Sequence, residues 1–246
     1  LRAKRPDGAR MKFAYLTEPP FNYLDNNGRP TGCDVELARH VCTTLGLMPF
    51  KPVMTEFPSL LAGLAAGDWR MTTGMFVTDA RRRVARFSRP VWALPDGLLI
   101  RAVDDRQIDG YRAIATSGDA RLAVVRDQVQ HQTALELGVP SARIDVFESY
   151  RDAAGAVRRG HVAGFASVAR AHAGYIAQNS TSDLGVVPIA ATEKPAAFGC
   201  FAFARDDAAL VRDVDAVLTE FLGSSGHRRM LARFGFSDAE VDLIAP

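Results

Sequence analysis

The amino-acid sequence predicts an α/β protein made of two lobes that share a similar order of strands and helices. Short apolar runs alternate with segments that carry apolar residues at helical spacing, first over residues 11–77 and again over residues 122–189. The chain has 246 residues, 48% of them hydrophobic, which is enough for one large domain or for two lobes of about 100 to 150 residues each. Because strands alternate with helices, we expect a parallel sheet in each lobe.

The first alternation predicts a binding loop near the start of the chain. The apolar run over residues 11–16 is typical of a strand, and it ends at the breaker Pro19-Pro20, which predicts a loop there. Apolar residues at helical spacing predict a helix over residues 34–45, with Asp34 as its N-cap. The other elements predicted here are a turn at Asn26-Asn27-Gly28, strands over residues 48–55 and 70–77, and a helix over residues 58–66.

The second alternation follows a predicted strand over residues 97–103 that leaves the first unit. Its predicted strands cover residues 122–125, 144–147, 162–166 and 184–189, and its predicted helices cover residues 130–137, 151–159 and 168–178. The last elements, a strand over residues 198–203 and helices over 208–222 and 226–234, have no lobe of their own to complete. We therefore expect residues 1–96 and 192–246 to form one lobe and residues 97–191 to form the other.

Composition excludes several classes of protein. The formal net charge is only +2 and acidic residues are interspersed with basic ones, so a nucleic-acid surface is not expected. No apolar run approaches the roughly 20 residues of a membrane span. Cys33, Cys42 and Cys200 form no C-x-x-C pair and have no histidine at metal spacing, so we expect no metal site and no cofactor. Cys42 lies in an apolar helical stretch, so a buried free thiol is the default interpretation, and one disulfide at most is possible, with its pairing open.

Four segments in order resemble a known family. They are residues 18–23 (EPPFNY), 28–38 (GRPTGCDVELA), 74–81 (GMFVTDAR) and 84–90 (VARFSRP). Each alone is weak, but together, at this spacing and over nearly the whole chain, they resemble the bacterial extracellular solute-binding proteins of the polar amino acid type, family 3. These proteins serve ABC transporters and are related to the ligand-binding domains of some receptors.

The resemblance implies a two-lobed periplasmic-binding-protein fold of type II, the Venus flytrap, with two crossing hinge strands and a ligand cleft between the lobes. It implies a monomeric receptor that captures a small zwitterion, an amino acid or an ectoine-like compatible solute, and delivers it to an ABC permease. Since the start of the chain has no apolar signal core, we expect a periplasmic protein whose export signal is removed or absent. The alternatives are the sensor domain of a membrane histidine kinase and an enzyme similar to cyclohexadienyl dehydratase, with Glu18 as its general acid.

The resemblance places the carboxylate clamp on Arg81, the arginine of the family's T-x-x-R segment. A planar guanidinium holds a carboxylate through two parallel hydrogen bonds, which lysine cannot do. The alternative is a solvated charge run, because two further arginines follow Arg81. The family also offers a hydroxyl and strand-end backbone to the same carboxylate, which implies Thr73, Gly74 and Met75. The segment from Gly67 to Gly74 is one residue shorter than the family pattern, so the strand register stays open.

A second departure concerns the ligand's cation. Amino acid binders of this family carry an aspartate that pairs with the α-ammonium, but the corresponding stretch of this chain, residues 162–168 (VAGFASV), has no acid, and Ser167 is its candidate ligand-binding residue. Leaving a buried cation unpaired costs several kcal/mol, so another acid is needed or the ligand differs. Glu18 is available, and with Phe21, Phe57 and Phe76 it resembles the pocket of the ectoine and hydroxyectoine binders, in which aromatic rings face a delocalised cation. The alternative is that Phe57 and Phe76 are ordinary core residues.

Three further residues have two interpretations each. Gln128 and Gln130 occupy the family's strand-to-helix turn of the second lobe, where they either hydrogen-bond a polar ligand or cap the helix into solvent. Trp92 lies near the first crossing, where it either packs the hinge or lines the cleft.

Overall fold

A computed structural model describes residues 11–103, 106–180 and 183–246, whose strands form two mixed sheets and one short hairpin. The strands are β1 (Met11–Tyr15), β2 (Tyr23–Leu24), β3 (Pro30–Thr31), β4 (Phe50–Met54), β5 (Met71–Thr72), β6 (Met75–Phe76), β7 (Ala85–Leu94), β8 (Asp96–Arg101), β9 (Leu122–Val125), β10 (Ile144–Phe147), β11 (Gly164–Val168), β12 (Leu184–Pro188) and β13 (Ala197–Ala204). The helices are α1 (Cys33–Thr44), α2 (Ser59–Ala66), α3 (Asp79–Val84), α4 (Tyr111–Thr116), α5 (Val129–Glu136), α6 (Tyr150–Arg158), α7 (Ala169–Asn179), α8 (Ala208–Phe221), α9 (Ser225–Ala232) and α10 (Asp238–Asp242).

The six-stranded sheet has the order β4-β1-β5-β13-β6, with β7 beside β13, and the part of the chain around it is called the first lobe. The strand β1 pairs in parallel with β4 and β5, as the alternation predicts. The return strand β13, however, pairs antiparallel with β5, β6 and β7. The expectation of a parallel sheet is therefore wrong for this half of the sheet, because β13 re-enters the first lobe from the second and runs against its neighbours.

The five-stranded sheet has the order β10-β9-β11-β8-β12, and the part of the chain around it is called the second lobe. Its strands β9, β10 and β11 are parallel, and their predicted positions agree with the structure to within two residues. The strand β8 is antiparallel to both β11 and β12, so this sheet is also mixed.

Two crossing segments join the lobes side by side. The first runs from β7, which ends at Leu94, into β8, and the second covers residues 189–196 between β12 and β13. Ala197 pairs with Leu94 on the first-lobe side, and Pro188 pairs with Gly97 on the second-lobe side. The two crossings of the Venus flytrap fold are therefore present. The lobe boundaries at residues 96 and 191 stay a prediction.

Two features near the cleft differ from the sequence prediction. Helix α1 begins at Cys33 with Gly32 as its N-cap, so Asp34 is not the N-cap but a buried residue of the first turn. Glycine is required at position 32 because a Cβ there would lie 2.1 Å from the Phe21 carbonyl oxygen. The predicted strand over residues 70–77 is split into β5 and β6, and the backbone between them turns toward Asp34.

The buried apolar side chains of the described residues form three clusters, one of which contains residues of both lobes. The first lobe buries Phe13, Phe201 and Phe203 against its sheet, and the second buries Tyr111 among aliphatic side chains. Cys33, Cys42 and Cys200 are buried and free, and burial raises the pKa of the Cys42 and Cys200 thiols to about 12. In the part of the chain that the structure describes, no group of side chains could hold a metal ion, and no helix is both long and apolar enough to cross a bilayer.

Candidate functional site

A cavity lies between the two lobes; it is partly open to solvent, and the centre of a water-sized sphere can occupy about 30 Å³ of it. Both lobes line it, and the sequence predicts most of the lining. The predicted residues that the structure brings together here are Glu18, Phe21, Phe57, Thr73, Gly74, Met75, Phe76, Arg81, Gln128, Gln130 and Ser167. The remaining lining residues are Trp92, Val129 and Val168. That these side chains contact a ligand stays a prediction.

The helix cap at Thr78 places Arg81 in the cavity. Thr78 is the N-cap of α3, and its hydroxyl accepts a hydrogen bond from the Arg81 N–H at 3.2 Å, which explains the T-x-x-R spacing. The Arg81 side chain is only 8% exposed, whereas Arg82 and Arg83 are exposed, so the solvated-run interpretation is wrong for Arg81 alone. Burial lowers the pKa of Arg81 to about 10, so the guanidinium is cationic at neutral pH.

The guanidinium of Arg81 connects the lobes. Its Nη1 donates to the Phe76 carbonyl oxygen of the first lobe at 2.5 Å, and its Nη2 donates to the Asp127 carbonyl oxygen of the second lobe at 2.5 Å. Its Cζ lies 5.2 Å from the centroid of the Phe57 ring. A guanidinium has five N–H groups, so these two bonds fix its plane and leave further donors for an anion.

Asp34 uses the donors that the family resemblance assigns to the ligand's carboxylate. Its Oδ2 accepts from the Thr73 hydroxyl at 2.6 Å and from the Gly74 N–H at 2.7 Å, while Asn22 Nδ2 donates to the Thr73 hydroxyl oxygen at 2.6 Å. The Thr73 proton and the Gly74 N–H are therefore already engaged inside the protein. Both residues line the cavity, and their contact with a ligand stays a prediction.

Glu18 is the acid of the cavity. It lies in a tight loop whose backbone pairs Glu18 with Asn22, and the half-buried residue lines the cavity. Loss of hydration around the carboxyl raises the pKa of Glu18 to about 7, and the nearby charge of Asp34 adds to the rise. The hydrogen bond from Ser167 lowers this pKa and so opposes the rise. Ser167 Oγ donates to Glu18 Oε1 at 3.3 Å from the second lobe.

Aromatic rings form another wall. The indole of Trp92 lies 5.4 Å from the Phe21 ring and 5.3 Å from the Phe76 ring, measured between centroids. Trp92 also fills the space above Gly74 and Gly199, where added Cβ atoms would lie 2.7 and 2.2 Å from it, so it both packs near the crossing and lines the cavity. One face of Phe76 already carries a cation, because Lys194 Nζ lies 5.3 Å from its centroid.

The second-lobe wall begins at the N-terminus of α5. Gln128 is the N-cap residue, but its side chain makes no cap hydrogen bond, and it is 7% exposed. Gln130 is 3% exposed and donates from Nε2 to Asp96 Oδ1 at 3.0 Å. The interpretation of these glutamines as solvent-facing caps is therefore wrong, and both face the cavity.

Residues 11–236, which include every lining residue of this cavity, match the model of the bacterial extracellular solute-binding proteins, family 3. The chain belongs to this family.

Known relatives agree with the assignment to family 3. A probable amino-acid ABC transporter periplasmic-binding protein of Sinorhizobium fredii, y4tE, is 28% identical over 240 residues, which cover 95% of this chain and 79% of that protein. The structure of EhuB in complex with hydroxyectoine superposes with a TM-score of 0.84 at 22% identity, covering 95% of this chain and 91% of that one. Holo ArgBP from T. maritima gives a TM-score of 0.75 at 22% identity, covering 92% and 96%. At these identities the two structures show the fold alone.

The lobes of this family 3 protein touch outside the cavity as well. Arg170 of α7 donates from Nη1 to the Gly235 carbonyl oxygen at 2.8 Å, pairs through Nη2 with Glu240, and lies with its Cζ 5.0 Å from the centroid of the Phe236 ring. One turn further along α7, Gly174 packs directly on the Pro19 carbonyl oxygen of the first lobe. With the Arg81 and Ser167 contacts, these describe a closed arrangement.

Proposed function

We propose that this solute-binding protein is the receptor of an ABC importer and closes around one small zwitterion. One observation carries the proposal: Arg81 and Glu18 are the ionisable side chains that line the cavity in the described part of the chain, one cationic and one acidic. A carboxylate suits Arg81, and a cation suits Glu18 with the aromatic wall. The hydroxyectoine bound to EhuB and the amino-acid transporter named for y4tE support two ligand classes, ectoine-like solutes and amino acids.

The aromatic wall favours the ectoine-like class. Ectoine-like rings spread their positive charge over an amidinium, and a delocalised cation gains from aromatic faces more readily than a compact, strongly hydrated ammonium does. Phe21 and Trp92 supply such faces beside Glu18. A free α-amino acid lacks its usual aspartate, because residues 162–168 contain no acid and Ser167 donates its hydrogen bond to Glu18. We therefore propose an ectoine-like ligand ahead of an α-amino acid.

Hinge closure is the proposed mechanism. Ligand favours the closed form because only there do both lobes reach it, and a ligand shifts such an equilibrium by its differential affinity for the two forms. We propose a periplasmic, monomeric protein that hands its ligand to a permease. The family and the relative do not favour the kinase-sensor alternative.

The dehydratase-like alternative has one observation in its favour, since a carboxyl with a pKa of about 7 suits a general acid. Among the described residues that line the cavity, however, the only other ionisable group is the Arg81 guanidinium, which is no second acid or base. We propose that the site binds its ligand without converting it. Incubation with a prephenate-like acid, followed by product absorbance, tests this: formation of product would establish the enzyme.

A thermal-shift screen tests the proposed function. The panel is ectoine, hydroxyectoine, glycine betaine, proline betaine and the common amino acids. A ligand present at about 100 times its Kd adds about 2.7 kcal/mol, which raises the Tm of a chain of this size by about 5 to 10 °C. We expect that shift from ectoine or hydroxyectoine. A large shift from one amino acid and none from ectoine would change the ligand class, and no shift from any carboxylate zwitterion would refute the proposal.

The affinity for a cationic zwitterion is expected to rise with pH. At pH values below the Glu18 pKa of about 7, Glu18 must lose its proton before it can pair with a cation, so affinity rises about 10- to 30-fold between pH 5.5 and 8.

The contribution of Glu18 to the stability of the ligand-free protein depends on pH in the opposite direction. The folded state keeps the Glu18 proton above the ordinary pKa of 4.5, so this residue's contribution to stability falls as pH rises from about 4.5 to 7.

Titration calorimetry at several pH values, in buffers of different ionisation enthalpy, measures both the affinity and the proton released. Glu18→Gln removes this part of the pH dependence. The part that comes from Asp34 remains, because burial raises the pKa of Asp34 as well. Tyr150, with a pKa well above its usual value, and His172, with a pKa lowered by burial to about 3, do not titrate in this range. An equal pH dependence in the wild type and Glu18→Gln would remove Glu18 from the ligand's cation.

A further inference from the structure

A buried carboxylate behind the second-lobe wall fixes the orientation of Gln130. Asp96 has no exposed surface, and its Oδ1 accepts from Gln130 Nε2 at 3.0 Å and pairs with Lys194 Nζ at 3.0 Å, while its Oδ2 accepts from the Tyr111 hydroxyl at 2.7 Å. Asp96 begins β8 and Lys194 lies in the second crossing, so both hinge segments meet at this carboxylate.

The chemistry of this cluster decides which end of the Gln130 amide meets the ligand. An ionised carboxylate has acceptors and no donor, so only the NH₂ end of the amide can face Asp96. The NH₂ end of Gln130 is held by Asp96 and Gln130 lines the cavity, so the carbonyl oxygen is the end of the amide left for a ligand. Gln128 adds a second amide whose Oε1 is buried without a partner.

We propose that Asp96 is a positioning residue that turns the Gln130 carbonyl oxygen toward the ligand, and that this makes the receptor select cations that carry N–H groups over fully methylated ones. The inference rests on the proposed function and narrows its ligand class. An amidinium or a protonated amine donates to Gln130 Oε1 and to Glu18. A quaternary ammonium has no N–H, so it leaves the Gln130 oxygen buried and unpaired. That loss corresponds to about 10- to 100-fold in affinity.

Matched probes separate this selectivity from affinity in general. Proline and proline betaine differ by two N-methyl groups, and ectoine and glycine betaine extend the comparison to an amidinium. We expect the wild-type protein to bind an N–H-bearing probe at least about tenfold more tightly than its methylated counterpart. In Gln130→Met, which keeps the side-chain length, we expect the ratio to fall to about threefold or less, because only the N–H probe loses a partner.

Asp96→Asn tests the positioning role. Asparagine can donate to Gln130 Oε1, so the Gln130 amide is free to turn. We therefore expect the ratio of the affinities for the N–H-bearing probe and its methylated counterpart to fall. A general structural defect would weaken both probes equally and leave the ratio unchanged. Gln132→Met is the matched control on the same helix, because Gln132 is exposed and donates to Glu136 at 3.0 Å instead of to Asp96.

The outcomes distinguish the two proposals. If the wild type binds an N–H probe and its methylated counterpart equally, or if Gln130→Met keeps the wild-type ratio, the inference about Asp96 is wrong and the receptor assignment stands. If Gln130→Met narrows the ratio and Asp96→Asn keeps it, the positioning role of Asp96 is wrong. If the wild type binds no carboxylate zwitterion, both proposals fail together.

Discussion

Replacing Arg81 by alanine is expected to weaken binding of the carboxylate ligand about 100-fold or more, which corresponds to about 3 kcal/mol. The variant removes the cationic group of the cavity lining and leaves the ligand's carboxylate buried without a partner. The fold is expected to survive, because Thr78 still caps α3 and the side chain that is lost faces a cavity. Titration calorimetry measures the affinity, and thermal unfolding of the ligand-free variant measures the stability.

Two control variants separate the effect of the two parallel hydrogen bonds of the guanidinium from the effect of its charge. Arg81→Lys keeps a positive charge but cannot form two parallel hydrogen bonds, so we expect an affinity between those of the wild type and Arg81→Ala. Arg82→Ala removes an exposed arginine from the same helix and should change nothing. Undiminished affinity in Arg81→Ala would remove Arg81 from the site and with it the main support for a carboxylate ligand.

Local patterns in the sequence predicted the positions of most strands and helices well, but they predicted poorly whether neighbouring strands run parallel or antiparallel. The strands β9 and β10 agree with prediction to the residue, since continuous apolar runs mark buried strands clearly. The ten-residue strand β7 was not predicted, because its first half contains two arginines and a serine and lacks a continuous apolar run. The antiparallel direction of β13 depends on the chain leaving and re-entering the first lobe, which no local pattern encodes.

The candidate site shows the same division. A motif resemblance brought eleven residues to one cavity because the family's spacing carries tertiary information that periodicity does not. Asp34, in contrast, was interpreted by a local capping rule, although its partner Thr73 is 39 positions away. Asp96 and Lys194 carry no motif, and only the two crossings bring them together. Buried polar clusters of this kind are invisible to a pass along the chain.

Replacing Gly174 by alanine is expected to weaken ligand binding about tenfold without lowering the stability of the ligand-free protein. A Cβ at this position of α7 would lie 2.4 Å from the Pro19 carbonyl oxygen, and that contact is to backbone, which cannot move aside as a flexible side chain does. Pro19 belongs to the loop that carries Glu18 and Phe21, so the added methyl group keeps this loop away from the second lobe. Overpacking of this kind costs about 1 to 3 kcal/mol.

This free-energy cost falls on the closed form alone, because the two lobes separate at this contact when the hinge opens. The closed form is the one that binds ligand, so the apparent Kd rises about tenfold. In the open form, alanine in a helix interior is about 0.5 to 1 kcal/mol more stable than glycine, so affinity and ligand-free stability are expected to change in opposite directions. Gly155→Ala in α6 is the matched control, since its Cβ would meet only the end of the Arg159 side chain, at 3.1 Å. Calorimetry gives the affinity, and small-angle scattering with saturating ligand gives the degree of closure. Full closure and wild-type affinity in Gly174→Ala would show that the lobes do not meet at this contact when the ligand is bound.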